Sequence, residues 1–387
     1  MRFLPSRRWL LSMRKKGFII SGLLFILLLT QAKIYAEEFK RALPGRTFSF
    51  PQDHFSHPEF KTEWWYYSGH LRSEDKKSYG YHLTFFRTAL RKEVSRKNSK
   101  WTVRNLYFAH LAITDESKKR FEYREKISRG SFDEAGASEY KSGEKAFRVW
   151  IEDWSAEINA SSIQNHILRA GDKEFGIELR LSSEKGPVIH GQNGISQKAK
   201  GEGYASHYYS ITRLKTEGKI FLKGKVVSIS GTSWIDHEFG SNQLREDQAG
   251  WDWFGIQLEN GVDLMLYQIR HRDRKMDPYS SGTIVFHDGS QRHLTVSNFQ
   301  VEAMDQWKSA KSGATYPSHW RIKIPGHQIE LILSPTTKDQ ELVTNQSTRV
   351  TYWEGSVKVE GKSGSDRIKG MGYVELTGYA KPFNKGI

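Results

Sequence analysis

Asp236, His237 and Glu238 stand in a row inside the segment Gly231–Gly240, GTSWIDHEFG, between Trp234 and Phe239. Three ionisable groups among aromatics describe a pocket where burial can tune pKa values toward acid and base work. A second cluster follows at Gly250–Gly255, GWDWFG, with Asp252 as its carboxylate. The ordinary alternative is a tight turn between strands with its charges in water. On a strand, neighbouring side chains point to opposite faces. Asp236 and Glu238 then share a face, and Asp236 meets His237 only in a turn or bulge.

Other chemistries find less support. No Gly-x-Ser-x-Gly elbow is present, so a serine site of the α/β-hydrolase kind is not indicated. The fourteen His residues are scattered, without the His-x-x-Glu-His spacing of a zinc helix. The expectation from these spacings is no metal.

The elements that position these residues read as strands. Aromatics make up 13% of the chain and glycines number 33, a composition of sheets with many turns. Alternating runs recur at 79–85, 147–151, 175–181, 262–269, 320–324 and 328–333. Turn signals such as Asn260-Gly261, Asp288-Gly289 and Pro325-Gly326 separate them. Helical periodicity is scarce. The class is all-β, with barrels or sandwiches as the natural architectures.

An internal duplication is visible. Trp64 to Leu71 leads to a run from Leu83 to Arg87, and Trp251 to Leu258 leads to a run from Leu266 to Arg270. Both spacings agree between the halves, which predicts two similar barrels divided near Gly240 to Gly250.

The N-terminus predicts export. Arg14-Lys15-Lys16 precedes an apolar run, Gly17–Leu29, and then Ala32–Ala36, AKIYA, before Glu37-Glu38. This is the pattern of a secretory signal cleaved after Ala36. The run is shorter than the roughly 20 residues of a membrane span. Arg7-Arg8 resembles a twin-arginine signal, but the second basic cluster separates it from the apolar run, and Met13 offers a clean start. No Cys exists, so neither a lipoprotein anchor nor a disulfide can form.

Charge excludes little. The chain carries 59 Lys+Arg against 44 Asp+Glu, or +15. Residues 1–36 hold seven of the bases and no acid, leaving 52 against 44, or +8. The bases are spread out, whereas nucleic-acid binding needs a concentrated stripe. Weak attraction to an anionic membrane surface remains compatible with this charge.

Several longer motifs together resemble a known family. They are His57–Gly69 (HPEFKTEWWYYSG), His207–Arg213 (HYYSITR), Gly231–Gly240, Gly250–Gly255, Tyr352–Gly355 (YWEG) and Gly372–Tyr379 (GYVELTGY). In this order, over about residues 46 to 381, the chain resembles the carotenoid 1,2-hydratase family, also called hydroxyneurosporene synthase-like or AttH-like. The resemblance lies nearest its branch of secreted hydrolase-like proteins. It implies two tandem lipocalin-like antiparallel β-barrels with a pocket near their junction: residues 1–36 a signal peptide, 37–240 the first domain, 241–387 the second. Characterised members hydrate a double bond of an isoprenoid or phenolic compound, and some fungal relatives guide polyketide cyclisation. In the carotenoid hydratases the second position after the motif His is often Trp; here it is Phe239, which keeps an aromatic wall and loses an indole N–H.

Hydration sets the roles to be filled. An acid kept neutral by an apolar pocket protonates carbon, an aromatic face supports the cation, and a base takes the proton of attacking water. Asp236 or Asp252 is the candidate acid and His237 the candidate base. Trp64, Tyr66, Trp234, Phe239, Trp251, Trp253 and Tyr267 are the candidate substrate-binding residues. The expected reaction is a cofactor-independent hydratase, lyase or hydrolase step on an apolar, isoprenoid- or lipid-like molecule in the periplasm or outside the cell. The alternative is a non-catalytic carrier of a lipid or pigment, serving an export system of the envelope.

Further residues carry plainer expectations. Glu63 could pair with a pocket Arg, but the commoner outcome, a strand start facing solvent, is expected. Only one of Trp64 and Trp65, and one of Tyr208 and Tyr209, should face a barrel interior. Arg87, Arg213 and Arg270 are expected as buried ion-pair partners across the domain junction. Glu354 and Glu375 should close barrel ends; His82 or His110 could face the pocket, with satisfied core histidines the commoner outcome. If the signal is cleaved as expected, N-terminal sequencing of the exported protein will begin at or near Glu37. Recovery of the intact chain in the membrane fraction would instead establish an uncleaved anchor.

Overall fold

Nearly every apolar run becomes a strand in the computed structural model, which describes residues 39–90, 103–143, 146–159, 165–242 and 244–383. The expected signal peptide, residues 1–36, lies outside the described residues. Among the described residues no helix is long and apolar enough to cross a membrane, and the helical pieces are short 3₁₀ turns such as Gln52–His54.

The strands form two antiparallel sheets, one of thirteen strands and one of ten. In the first, the opening strand Thr62–Ser73 pairs with its successor Ser78–Ala89 and with the closing strand Lys225–Gly240. In the second, Gln248–Leu258 pairs with Asp263–His271 and with the closing strand Asp366–Leu376. First strand beside last curls each meander into a barrel or half-barrel. The chain crosses from one sheet to the other between Gly240 and Gln248. The repeat seen in the sequence is kept in register: Trp64 faces Phe86 and Glu63 faces Arg87, while Trp251 faces Ile269 and Gly250 faces Arg270.

Period-two alternation divides the side chains of the opening strands between the barrel interiors and the junction. Trp65, Tyr67, Leu83, Phe85 and Ile235 fill the first barrel. Phe254, Ile256, Leu266, Trp320 and Val374 fill the second. Tyr66, Tyr208, Trp234, Trp253, Tyr267 and Tyr373 form a separate aromatic layer between them. The opening strands are thus buried on both faces. Close approach depends on Gly80, where a Cβ would lie 2.7 Å from Ser356 Cβ and 2.8 Å from the Tyr373 hydroxyl. Any side chain there would push the sheets apart.

Arg213 is the arginine that pairs across this junction, 2.6 Å from Asp263, which also takes Lys185 at 2.8 Å. The expectation fails for the other two. Arg87 pairs with Glu63 at 3.1 Å within the first barrel, and Arg270 with Asp252 at 2.9 Å within the second. Sequence repetition reproduces the arginines inside each barrel, so they could not also reach across.

Glu63 does not face solvent; it is fully buried. Its carboxylate accepts from Arg87 Nε, Ser56 Oγ at 2.8 Å, the His57 backbone N–H at 3.0 Å and both His57 and His237 rings at 2.9 Å. Arg87 also donates to the backbone carbonyls of His57 and Phe60. This plug pins the segment before the first strand and closes that end of the barrel. Breaking such a buried pair costs about 3–5 kcal/mol. Replacing Arg87 by Met should lower the urea midpoint accordingly with little change in slope. A loss under about 1 kcal/mol, the range of a surface pair, would mean the plug is not held by charge.

Candidate functional site

Two rows of side chains face each other across the junction. In the first sheet, backbone register aligns Thr84, Tyr66, Asp236 and Ser210 across four strands. In the second it aligns Tyr267, Trp253, Glu375 and Glu354. Between them lies a cavity of about 220 Å³ that takes in Trp64, Trp251 and Lys198 and reaches the exposed Asn242. A water occupies about 10–15 Å³ by this measure, so there is room for an organic molecule.

Asp236 is buried and held by three donors: Trp234 Nε1 at 2.6 Å, the Tyr208 hydroxyl at 2.7 Å and the Ser210 hydroxyl. Burial pushes its pKa up to about 7 against these hydrogen bonds, with a contribution from the Glu238 charge. Burial likewise raises Glu375 to about 7; the Trp251 indole N–H, 2.7 Å away, opposes it, and Asp236 and Glu238 add to it. Glu354 stands directly opposite Glu375 on the neighbouring strand. Burial, then the charge of Glu375, holds its carboxyl well above the usual range. Like charges facing across a ladder repel, which keeps a proton on the pair. The Tyr66 hydroxyl donates to Glu354 Oε1 at 2.7 Å, while Oε2 has no protein partner among the described residues. Beside them, Lys198 lies 3.2 Å from Glu238, with its ammonium 4.0 Å above the Tyr267 ring.

The expected site residues divide by strand face. Asp236, Trp64, Tyr66, Trp251, Trp253 and Tyr267 line the cavity. Trp234 sits in the same aromatic layer and holds Asp236. His237 does not join them. It points into the first barrel, donating to Glu63 and stacking on Trp65 at 4.9 Å. Phe239 follows it to that side and stacks on His57 at 3.6 Å. Asp252 points into the second barrel, bound to Arg270 and the Tyr379 hydroxyl. The reason is the strand itself: Lys225–Gly240 and Gln248–Leu258 run through these positions without a turn, so consecutive residues diverge.

Glu354 and Glu375 do not close barrel ends but supply the second wall's carboxyl groups. Each lies in a motif already noted, YWEG and GYVELTGY, yet only the pairing of two strands set them side by side. Tyr208 and Ser210 lie in the HYYSITR motif, also noted, yet nothing there marked them as donors to Asp236; Lys198 carried no comparable signal. His110 is satisfied by Tyr352 and Ser347 at 2.7 and 2.8 Å, and burial lowers its pKa to about 3. His82, also on the cavity wall, leaves Nδ1 without a partner among the described residues.

One cluster has metal-ligand composition: His57, Glu63 and His237 offer ligand atoms within 4.8 Å of one another. The Arg87 guanidinium and the donors around Glu63 already use its carboxylate oxygens, so the donor set describes a charge-paired plug.

The same fold recurs in solved structures. An AttH-like protein of Nitrosomonas europaea is 31% identical, with 88% of this chain and 99% of that one covered at a TM-score of 0.77. Kievitone hydratase of Nectria haematococca is 15% identical, with 89% and 99% covered at 0.63. CghA solved with Sch210972 is 10% identical, with 88% and 95% covered at 0.54. The last two establish the fold alone. No curated protein matches the chain by sequence. The AttH-like family model matches residues 41–379, and with two curled sheets around a carboxyl-bearing junction the chain belongs to that family.

Proposed function

We propose that this exported protein is a cofactor-independent hydratase or lyase acting on a double bond of an apolar, isoprenoid- or lipid-like molecule in the junction cavity. The observation that carries the reading is three buried carboxyl groups, Asp236, Glu354 and Glu375, raised toward neutrality on facing walls of an aromatic pocket. A carboxylic acid that keeps its proton at neutral pH can protonate an alkene carbon. Glu354 is assigned as that acid. Tyr66 occupies Oε1, so the proton resides on the unpartnered Oε2. Trp64, Trp251 and Trp253 offer π-faces to the resulting cation. Asp236, which gains and loses its proton near pH 7, takes the proton of the attacking water. In the reverse direction the same groups exchange roles. The relatives support this reading through kievitone hydratase, which shares the fold.

The test is incubation with a panel of isoprenoid alkenes in heavy-oxygen water, read by mass spectrometry. Glu354→Gln keeps the shape and removes the acid, so turnover should fall by about 10²–10⁴. Its affinity for the apolar fluorophore N-phenylnaphthylamine should stay the same. Normal turnover in that variant would reject the acid assignment. Binding without water addition by the native protein would leave a carrier.

Stability should carry the same signature. Asp236 has a pKa of about 7 folded against 3.8 as its ordinary value. Between those values the folded state holds more protons, so this group's contribution falls as pH rises from about 4 to 7. Asp236→Asn should flatten that slope in urea titrations across this range. An unchanged slope would show that Asp236 titrates normally.

A further inference from the structure

On the proposed reading, Asp236 takes a proton from water in each turnover and must give it up before the next, and the cavity before it is the substrate's place. Each of its three donors opens or closes a way out. An indole N–H donates but has no lone pair to receive a proton, so Trp234 is a dead end. Behind the Tyr208 hydroxyl stands Trp253 Nε1 at 3.1 Å, and that branch ends the same way. The Ser210 branch continues. Ser210 Oγ lies 2.6 Å from His190 Nε2, and His190 Nδ1 lies 2.9 Å from Thr283 Oγ1.

All three groups are buried. Burial, with the charges of Lys198 and His293, keeps the His190 ring well below its usual pKa. It is therefore neutral, with one N–H and one lone pair, and can accept on one side while donating on the other. Thr283 belongs to the second sheet and faces His293 across the ladder. His293 is half-buried, and its Nδ1 has no partner among the described residues. The chain of groups thus starts at the pocket acid, crosses the junction and ends beside a partly exposed imidazole, behind the substrate.

We propose that Ser210, His190 and Thr283 form a proton relay between Asp236 and solvent near His293. This rests on the reading of Asp236 as the proton carrier of the cavity. To discharge, the Asp236 proton passes to Ser210 Oγ as the Ser210 proton passes to His190 Nε2. His190 Nδ1 gives its proton to Thr283 Oγ1, and Thr283 gives its own to water. Each relay group loses one proton as it gains one, and only O–H and N–H bonds change. Recharging runs the steps in reverse. The positive charge of Lys198 opposes a lasting imidazolium at His190, so the proton passes through without resting there.

The test needs no substrate. The cavity is filled with N-phenylnaphthylamine and the protein is moved into deuterated water near neutral pH. Deuteration of the Asp236 carboxyl is followed by its infrared carbonyl band, assigned by its loss in Asp236→Asn. Ser210→Ala and His190→Phe should slow exchange by about 10², at the lower end of what a positioned proton carrier contributes. Ser210→Thr, which restores a hydroxyl, should exchange at the native rate. Circular dichroism and probe affinity should be unchanged in Ser210→Ala. Native-rate exchange in Ser210→Ala overturns the relay, as does slow exchange in Ser210→Thr. Turnover retained by Asp236→Asn would remove the catalytic reading and leave the exchange result standing.

Discussion

Strands Thr62–Ser73 and Gln248–Leu258 are buried on both faces, so alternate residues of one strand must serve two environments. One face fills a barrel and the other meets the second barrel. The rest of the structure follows from this division. Trp65 packs inside while Tyr66 reaches Glu354; Phe254 packs inside while Trp253 lines the cavity. Neither barrel contains the cavity. It is made where two outer faces leave space, and it disappears if the barrels part.

Burial acts on every carboxyl group in these layers, yet the outcomes are opposite. Glu63 and Glu354 are both almost inaccessible to solvent. Glu63 lies well below its usual pKa, because the Arg87 charge and two imidazole donors outweigh desolvation. Glu354 lies well above it, because desolvation and Glu375 act in the same direction. A guanidinium or a second carboxyl as neighbour makes the first a structural plug and the second a reservoir of protons. The duplication repeats this economy. Tyr66 pairs with Asp236 in one sheet as Trp253 pairs with Glu375 in the other, so the same register puts a raised carboxyl beside an aromatic on each wall, and Glu354 adds a second to the latter.

Much of the fold was legible in the sequence. Alternation, turn dipeptides and the Trp-to-Arg spacing depend on neighbours along the chain, and they predicted an all-β duplication. The matched registers of Trp64 with Phe86 and Trp251 with Ile269 are that spacing made physical. The site was legible only in part. Asp236 and most of its aromatic partners stand out because acids beside Trp and Tyr are conspicuous in a row of letters. His237 and Asp252 are equally conspicuous, and the clustering of ionisable and aromatic residues in their two motifs drew them into the same site.

Strand pairing decided otherwise, for a reason no local reading contains. A one-residue step along a strand moves a side chain to the other face, but only the tertiary packing says which face meets which partner. Glu375 and Glu354 are separated from Asp236 by more than a hundred residues and arrive opposite it because the closing strand of each sheet lies beside its opening one. The sequence by itself determined the strands, their repetition and the stock of acids and aromatics. The tertiary structure alone decided which acids lost their water without gaining a cation, since desolvation and charge pairing depend on distance through space.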